Sequence, residues 1–300
     1  MSRIASWALG LVPLLGLAEL GLHQYFAHRA PGFQDYAALA PQLVKLKPPG
    51  VPVVVAPDWA EPLLRQAAPA AFPLAELARM DDSGFAGFLE VSVLGQSAAQ
   101  LAQLPVERSW QIGAFTLSFH RNTRQQVPLF DFVSAVAAGQ VEVFSELAGQ
   151  RDVCPLVAHA HATTGGLHGH AAYPRQRFEC PHGGFAGVSL VDDQDYRPRR
   201  CILAQASAPG RLVLRFGGVP VSQRLLGYAG FSYFLARDVV APEVELSAEQ
   251  DGVRLGEKRA SGAAGWSRFE LAATRAGSVE LAVRQLVRGQ KDFCFALEAR

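Results

Sequence analysis

Five of the eight histidines fall within 24 residues: His159, His161, His168, His170 and His182. His-x-His occurs twice, as His159-Ala160-His161 and His168-Gly169-His170. Alternate residues of an extended strand point the same way, so each pair is spaced to grip one ion. Imidazole suits Zn²⁺ or Cu²⁺. The plainer alternative is a solvated Gly/His loop, since no His-Glu-x-x-His run is present and no carboxylate falls between His159 and His170. A second cluster, Asp192-Asp193-Gln194-Asp195, sets three carboxylates in four residues, a chemistry for Ca²⁺. Its alternative is an acidic turn neutralised by Arg197, Arg199 and Arg200. The third set is aromatic: Tyr228, Phe231, Tyr233, Phe234 and Trp266. Flat rings beside polar groups favour the apolar faces of sugars, and Gly227 and Gly230 mark this stretch as an exposed loop apex; filling of a core is the competing role. Asp58, Glu61 and Gly95-Gln96-Ser97 follow strand-like runs, where open sheets place ligands, but no G-x-G-x-x-G or P-loop pattern occurs. Gly95-Gln96-Ser97-Ala98-Ala99 breaks a nucleophile elbow at its last position. No catalytic residue is assigned.

The elements that must position these residues change type along the chain. Tyr36, Leu39, Leu43 and Leu46 repeat at helical spacing and Pro48-Pro49-Gly50 stops them. Val51 to Ala56 reads as a buried strand. Asp58 follows as the cap of a helix through Gln66. Leu89–Leu94 and Phe115–Phe119 read as strands, with a helical Ala98–Gln103 between them and a fourth strand over Val141–Phe144. This rhythm predicts a small α/β domain over 34–150. Residues 151–184 lack periodicity and read as an irregular, His-rich, disulfide-closed connector. From 185 to 300 short strands with alternating faces predict an antiparallel β-sandwich, with a hairpin at Asp251-Gly252. The fold class is therefore α+β and multidomain.

Residues 1–22 read as a leader. Arg3 precedes nineteen positions whose one charge is Glu19, which fits a signal-anchor helix or a signal peptide cut after Gly16-Leu17-Ala18. Either places the remainder outside the cytoplasm, in the cell envelope or secreted. The four cysteines then form two disulfides. Three pairings exist; Cys154–Cys180 closes a local loop and Cys201–Cys294 joins the two ends of the sandwich domain. A net charge of +1, from 28 basic and 27 acidic residues, argues against a dedicated nucleic-acid binder.

The runs Gly210–Phe216, Pro242–Leu246, Asp251–Val253, Gly265–Phe269 and Phe293–Phe295 resemble galactose-binding-like jelly rolls. Val53–Pro57 and Phe115–Phe119 resemble, weakly, the extracytoplasmic domain of lipid-linked-sugar glycosyltransferases, and the chain as a whole resembles exported proteins. The resemblance to the glycosyltransferase domain implies an extracytoplasmic module in cell-envelope sugar biology; export, two disulfides and the sandwich pattern together point to a membrane-anchored, non-catalytic binding module whose partners are glycan or an envelope protein. The alternatives are an accessory subunit of a membrane glycosyltransferase and a metal-dependent enzyme using the His-rich connector. Ca²⁺ or Zn²⁺ is the cofactor such sites would take.

Overall fold

The protein is seen here as a computed structural model that describes residues 14–25, 30–158, 173–194, 197–232, 243–273, 275–287 and 293–300. It forms two compact units, Met1–Pro73 with Phe85–Arg124 and Leu74–Gly84 with Gln125–Arg300.

In the first unit, helix α1 (14–25) exposes every residue, Leu14, Leu15, Leu17, Leu20 and Leu22 included. Among the described residues no helix is long and apolar enough to cross a membrane; residues 1–13 of the expected leader lie outside the described residues. Helix α2 (Phe33–Leu46) follows. Its side chains at 36, 39 and 43 fall on one stripe, and all three are buried. They cover a four-stranded sheet ordered β1 (Val53–Ala56), β2 (Gly87–Val93), β4 (Phe115–Arg121) and β3 (Val106–Ile112). Only β1 and β2 are parallel, joined through α3 (Glu61–Ala67). The other two pairs are antiparallel, so the alternating strand–helix rhythm holds for a single crossover. Two local expectations change. Asp58 starts a 3₁₀ turn, Asp58–Ala60, without capping it by its side chain. The helix expected over Ala98–Gln103 is one 3₁₀ turn, Ala99–Leu101.

The ring of Tyr36 packs 5.0 Å from that of Phe115. Its hydroxyl is buried and has no hydrogen-bond partner among the described residues, and burial, helped by the Asp35 charge, pushes its pKa up. An unpaired buried hydroxyl costs about 1–3 kcal/mol. Tyr36→Phe is therefore expected to raise stability by up to about 1 kcal/mol, read from the urea midpoint at unchanged slope; a loss of stability would mean the hydroxyl is satisfied in solution.

The second unit is a sandwich of two antiparallel sheets. The larger runs β16 (Ser267–Ala272), β13 (Arg224–Phe231), β18 (Phe293–Ala299), β11 (Pro198–Gln205), β10 (Phe185–Asp192), β9 (Gln176–Glu179) and β8 (Leu156–Ala158), with β5 (Phe130–Asp131) beside β18. The smaller runs β15 (Val253–Ser261), β14 (Glu243–Gln250), β17 (Gly277–Gln285), β12 (Arg211–Val219), β6 (Glu142–Leu147) and β7 (Gln150–Val153). From β12 to β14 and again from β15 to β18 the chain crosses between sheets at each step, the connectivity of a jelly roll. Leu214, Phe216, Ile202, Leu281, Phe293 and Phe295 are fully or almost fully buried between the layers. Each contributes roughly 1.5–3 kcal/mol of burial. Helix α5 (Phe132–Ala137), capped by Asp131 accepting from the Val133 and Ser134 amides, adds Phe132 against Phe216. A four-residue helix, α4 (Leu74–Leu77), opens the excursion 74–84 that belongs to this unit.

The strand expected over Val141–Phe144 is β6, and it pairs with β12 of the sandwich rather than with the α/β sheet. Residues 151–184 are not one irregular connector: β7, β8 and β9 fall within or across them. Both disulfides are present, Cys154–Cys180 and Cys201–Cys294. The second ties adjacent strands, with Leu203 opposite Cys294 in the β11–β18 register.

Candidate functional site

Pairing in the larger sheet decides which residues face away from the core. Tyr228 lies opposite Ala296, and Leu226 opposite Glu298. Side chains alternate along a strand, so Tyr228 and Glu298 share the outer face while Phe231, Phe293 and Phe295 turn inward. Trp266 is delivered to the same face by Gly265, whose φ is +62°, and by Gly230. A Cβ on Gly230 would lie 2.7 Å from the Gly265 carbonyl oxygen, so only glycine lets the backbone at 265–266 close down on β13. The Tyr228 and Trp266 rings then stack, 13° from parallel with centroids 6.2 Å apart. Both are half-buried. The Arg199 guanidinium lies 5.7 Å from the indole centroid, a cation–π contact. It is aimed by its Nε donating to Asp193 at 2.8 Å and its Nη1 donating to the Arg79 carbonyl at 3.1 Å. The Trp266 Nε1–H is buried without a hydrogen-bond partner among the described residues.

Beside this pair lies a buried ionic knot. Arg300 is 7% exposed. It donates to Glu298 through Nε at 2.9 Å and Nη2 at 2.5 Å, to Asp81 through Nη2 at 3.3 Å, and to the Ser83 hydroxyl. The knot pins the 74–84 excursion along this face. Burial pushes the Glu298 carboxyl above its ordinary range, helped by the Asp81 and Asp131 charges and opposed by Arg300. Burial likewise raises the Tyr228 phenol, again with Asp81, against Arg268, Arg199 and Arg300. The chemistry on offer is recognition: flat apolar rings flanked by fixed donors and acceptors.

Of the aromatic set, Tyr228 and Trp266 come together. Phe231 is 2% exposed, against Phe293 at 5.6 Å, so it is core and not a loop residue. The presumed apex 227–231 is the second half of β13, and its glycines serve close packing. Tyr233 and Phe234 lie outside the described residues. So do His159, His161, His168 and His170, and Asp195. His182 is exposed and stands 3.6 Å from Asp152. Asp192 is exposed. Asp193 is 3% exposed and is held by Arg199 and by the Arg197 amide at 3.0 Å. Within the Asp192–Asp195 run, the Asp193 carboxylate is thus engaged by an arginine. Among the described residues no group of three metal-ligating side chains is found. In the first unit, Glu61 pairs with Arg65.

Sequence reasoning missed a buried pair in that unit. Glu90 interrupts the apolar run of β2, and its carboxylate meets His120 Nε2 at 2.9 Å and accepts from the Ala98 amide at 2.5 Å. His120 Nδ1 stands 3.4 Å from the Leu104 carbonyl. The pair clamps segment 94–105 over the sheet. A carboxylate in the middle of an otherwise apolar strand was the available signal.

The outer face of the smaller sheet carries a lattice of opposite charges. Arg151 bridges Glu146 at 2.6 Å and Glu280 at 3.1 Å, Arg215 bridges Glu280 at 2.6 Å, and Arg211 joins Glu146. Phe144 sits beneath two of these guanidinium groups, 4.7 Å from Arg151 and 5.5 Å from Arg215. Burial pushes the Glu146 and Glu280 carboxyls up, but the arginine hydrogen bonds and charges outweigh it and hold both below the ordinary carboxylate range. Depressed folded-state values contribute stability that is complete above the unfolded value and lost as pH falls through the folded one. The melting temperature is expected to drop between about pH 5 and pH 3, and Glu146→Gln with Glu280→Gln should flatten that limb; an unchanged acid limb would show that other carboxylates carry it.

The two layers and the strand connectivity between them define the class: an antiparallel β-sandwich of jelly-roll type, accompanied by a small α/β unit. No protein-family model matches the chain, and no curated protein does. Similar solved structures are carbohydrate-binding modules. One is a family 51 module from Clostridium perfringens GH95 with methyl-galactose, at 12% identity and a TM-score of 0.28, covering 47% of this chain and 92% of that one. Another is a family 51 module with GlcNAc and adjoining domains from Clostridium perfringens ZmpB, at 10% identity and 0.30, covering 68% and 43%. A third is the CBM22-1 xylan-binding domain of Paenibacillus barcinonensis Xyn10C, at 11% identity and 0.25, covering 40% and 85%. Overlays this loose transfer neither ligand nor site residue.

Proposed function

We propose that this chain is a non-catalytic binding module of the cell envelope that contacts glycan through the outer face of its larger sheet. The observation that supports this reading is the stacked Tyr228–Trp266 pair, half-buried against the sandwich core and flanked by Arg199. Pyranose rings present apolar C–H faces to such aromatics and hydroxyls to the charged groups beside them. Export agrees with two disulfides. Attachment to a membrane agrees with α1, whose leucines are all exposed. A glycan array probed with the purified chain tests the reading. Trp266→Ala is expected to remove about 2 kcal/mol of binding, roughly a thirtyfold loss. Equal array signals from wild type and variant would place the contact elsewhere.

A further inference from the structure

Strand β3 is an outer edge of the first unit's sheet: its one partner among the described residues is β4. Val106 is 54% exposed, Glu107, Arg108, Ser109 and Gln111 are exposed, and Trp110 and Ile112 are half-buried. A long, open edge of this kind is a template for another strand.

The direction of its main-chain groups follows from the hairpin. Gly113 and Ala114 form a two-residue turn that closes on the Ile112–Phe115 pair. Such a turn closes on a hydrogen-bonded pair, and hydrogen-bonded and non-hydrogen-bonded pairs alternate from there. Ile112, Trp110 and Arg108 therefore turn their N–H and C=O groups towards β4, opposite Phe115, Leu117 and Phe119. Ser109 and Gln111 turn theirs outward, away from the sheet.

We propose that β3 is a self-recognition strand: two copies of this chain pair antiparallel about Ser109, joining their sheets edge to edge. A two-fold axis there lets Ser109 exchange both main-chain hydrogen bonds with its symmetry mate. It also sets Arg108 against Trp110 of the second copy, a cation–π pair. The pairing rests on the regular stretch Arg108–Trp110 of each copy, which the bulge between Val106 and Arg108 bounds on one side. The occupant is a second copy because this register sets the Arg108 charge against the Trp110 ring on both sides of the axis. The inference stands independently of the glycan reading.

Ser109→Pro is the informative variant. The Ser109 amide points away from β4, so proline removes the outward donor without breaking the hairpin, a position edge strands tolerate. Sedimentation velocity is expected to show a concentration-dependent dimer for wild type and a monomer for Ser109→Pro, with the melting temperature nearly unchanged. Register is read by cross-linking. Directly opposed residues lie about 5.5 Å apart between Cα atoms, within disulfide range. Ser109→Cys is expected to give a homodimer joined through position 109. Gln111→Cys should not, because its mates would stand roughly 13 Å apart along the strands. A wild-type chain that stays monomeric throughout its soluble range, or cross-linking through 111 in place of 109, would overturn the proposal.

Discussion

Replacing Cys201 and Cys294 together by alanine is expected to cost roughly 4–5 kcal/mol of unfolding free energy. The two residues are separated by 93 positions, and closing so long a loop removes more freedom from the unfolded chain than closing a short one. Cys154 and Cys180 are 26 apart, which on the same chain-entropy account corresponds to roughly 3.5 kcal/mol. Cys201 and Cys294 are also almost wholly buried, so alanine leaves a small void where the sulfurs were. Urea unfolding of the two paired-alanine variants under non-oxidising conditions compares them. The larger loss should fall on the Cys201–Cys294 pair; the reverse order would mean that local strain, not chain restriction, governs both bonds.

Arg300→Met is expected to cost roughly 3 kcal/mol. The side chain is 5% exposed, and Asp81 and Glu298, at 15% and 18%, are its carboxylate partners. Removing the guanidinium strands two negative charges at the edge of the sandwich and frees the 74–84 excursion. The loss should therefore be partly recovered by adding Glu298→Gln, since the neutral amide no longer needs a counter-charge. A double variant no more stable than Arg300→Met alone would show that packing of the arginine stem, and not its charge, holds the knot. Either result is read from the denaturant midpoint.

Where neighbouring residues decide structure, the sequence was readable. Asp251 and Gly252 both take positive φ, +49° and +78°, the turn that an Asp-Gly pair between alternating strands calls for. The helix from Tyr36 to Leu46 followed from its apolar spacing, and the sandwich from its short alternating runs. Where partners come from afar, it was not. The pattern of β6 says that a strand forms but not which sheet receives it, and its partner β12 lies about seventy residues further on. Gly227 and Gly230 read as loop signals because glycine marks turns; here a Cβ on Gly227 would meet the Phe269 ring at 2.4 Å, so glycine marks close packing inside a strand. The Arg300–Asp81 contact spans 219 positions, beyond any local pattern. In the sequence Arg199 is only a neutralising neighbour of the Asp192–Asp195 turn. Its second role, beside the Trp266 ring, depends on the fold of β16 against β13.

The central claim places ligand on one outer face and not the other. Trp266 stands for the larger sheet and Phe144 for the smaller, where it lies under Arg151 and Arg215. Titration calorimetry of a glycan retained on the array, against wild type, Trp266→Ala and Phe144→Ala, separates the two. The account predicts roughly thirtyfold weaker binding for Trp266→Ala and wild-type affinity for Phe144→Ala. Full affinity in Trp266→Ala, with or without a loss in Phe144→Ala, would contradict it.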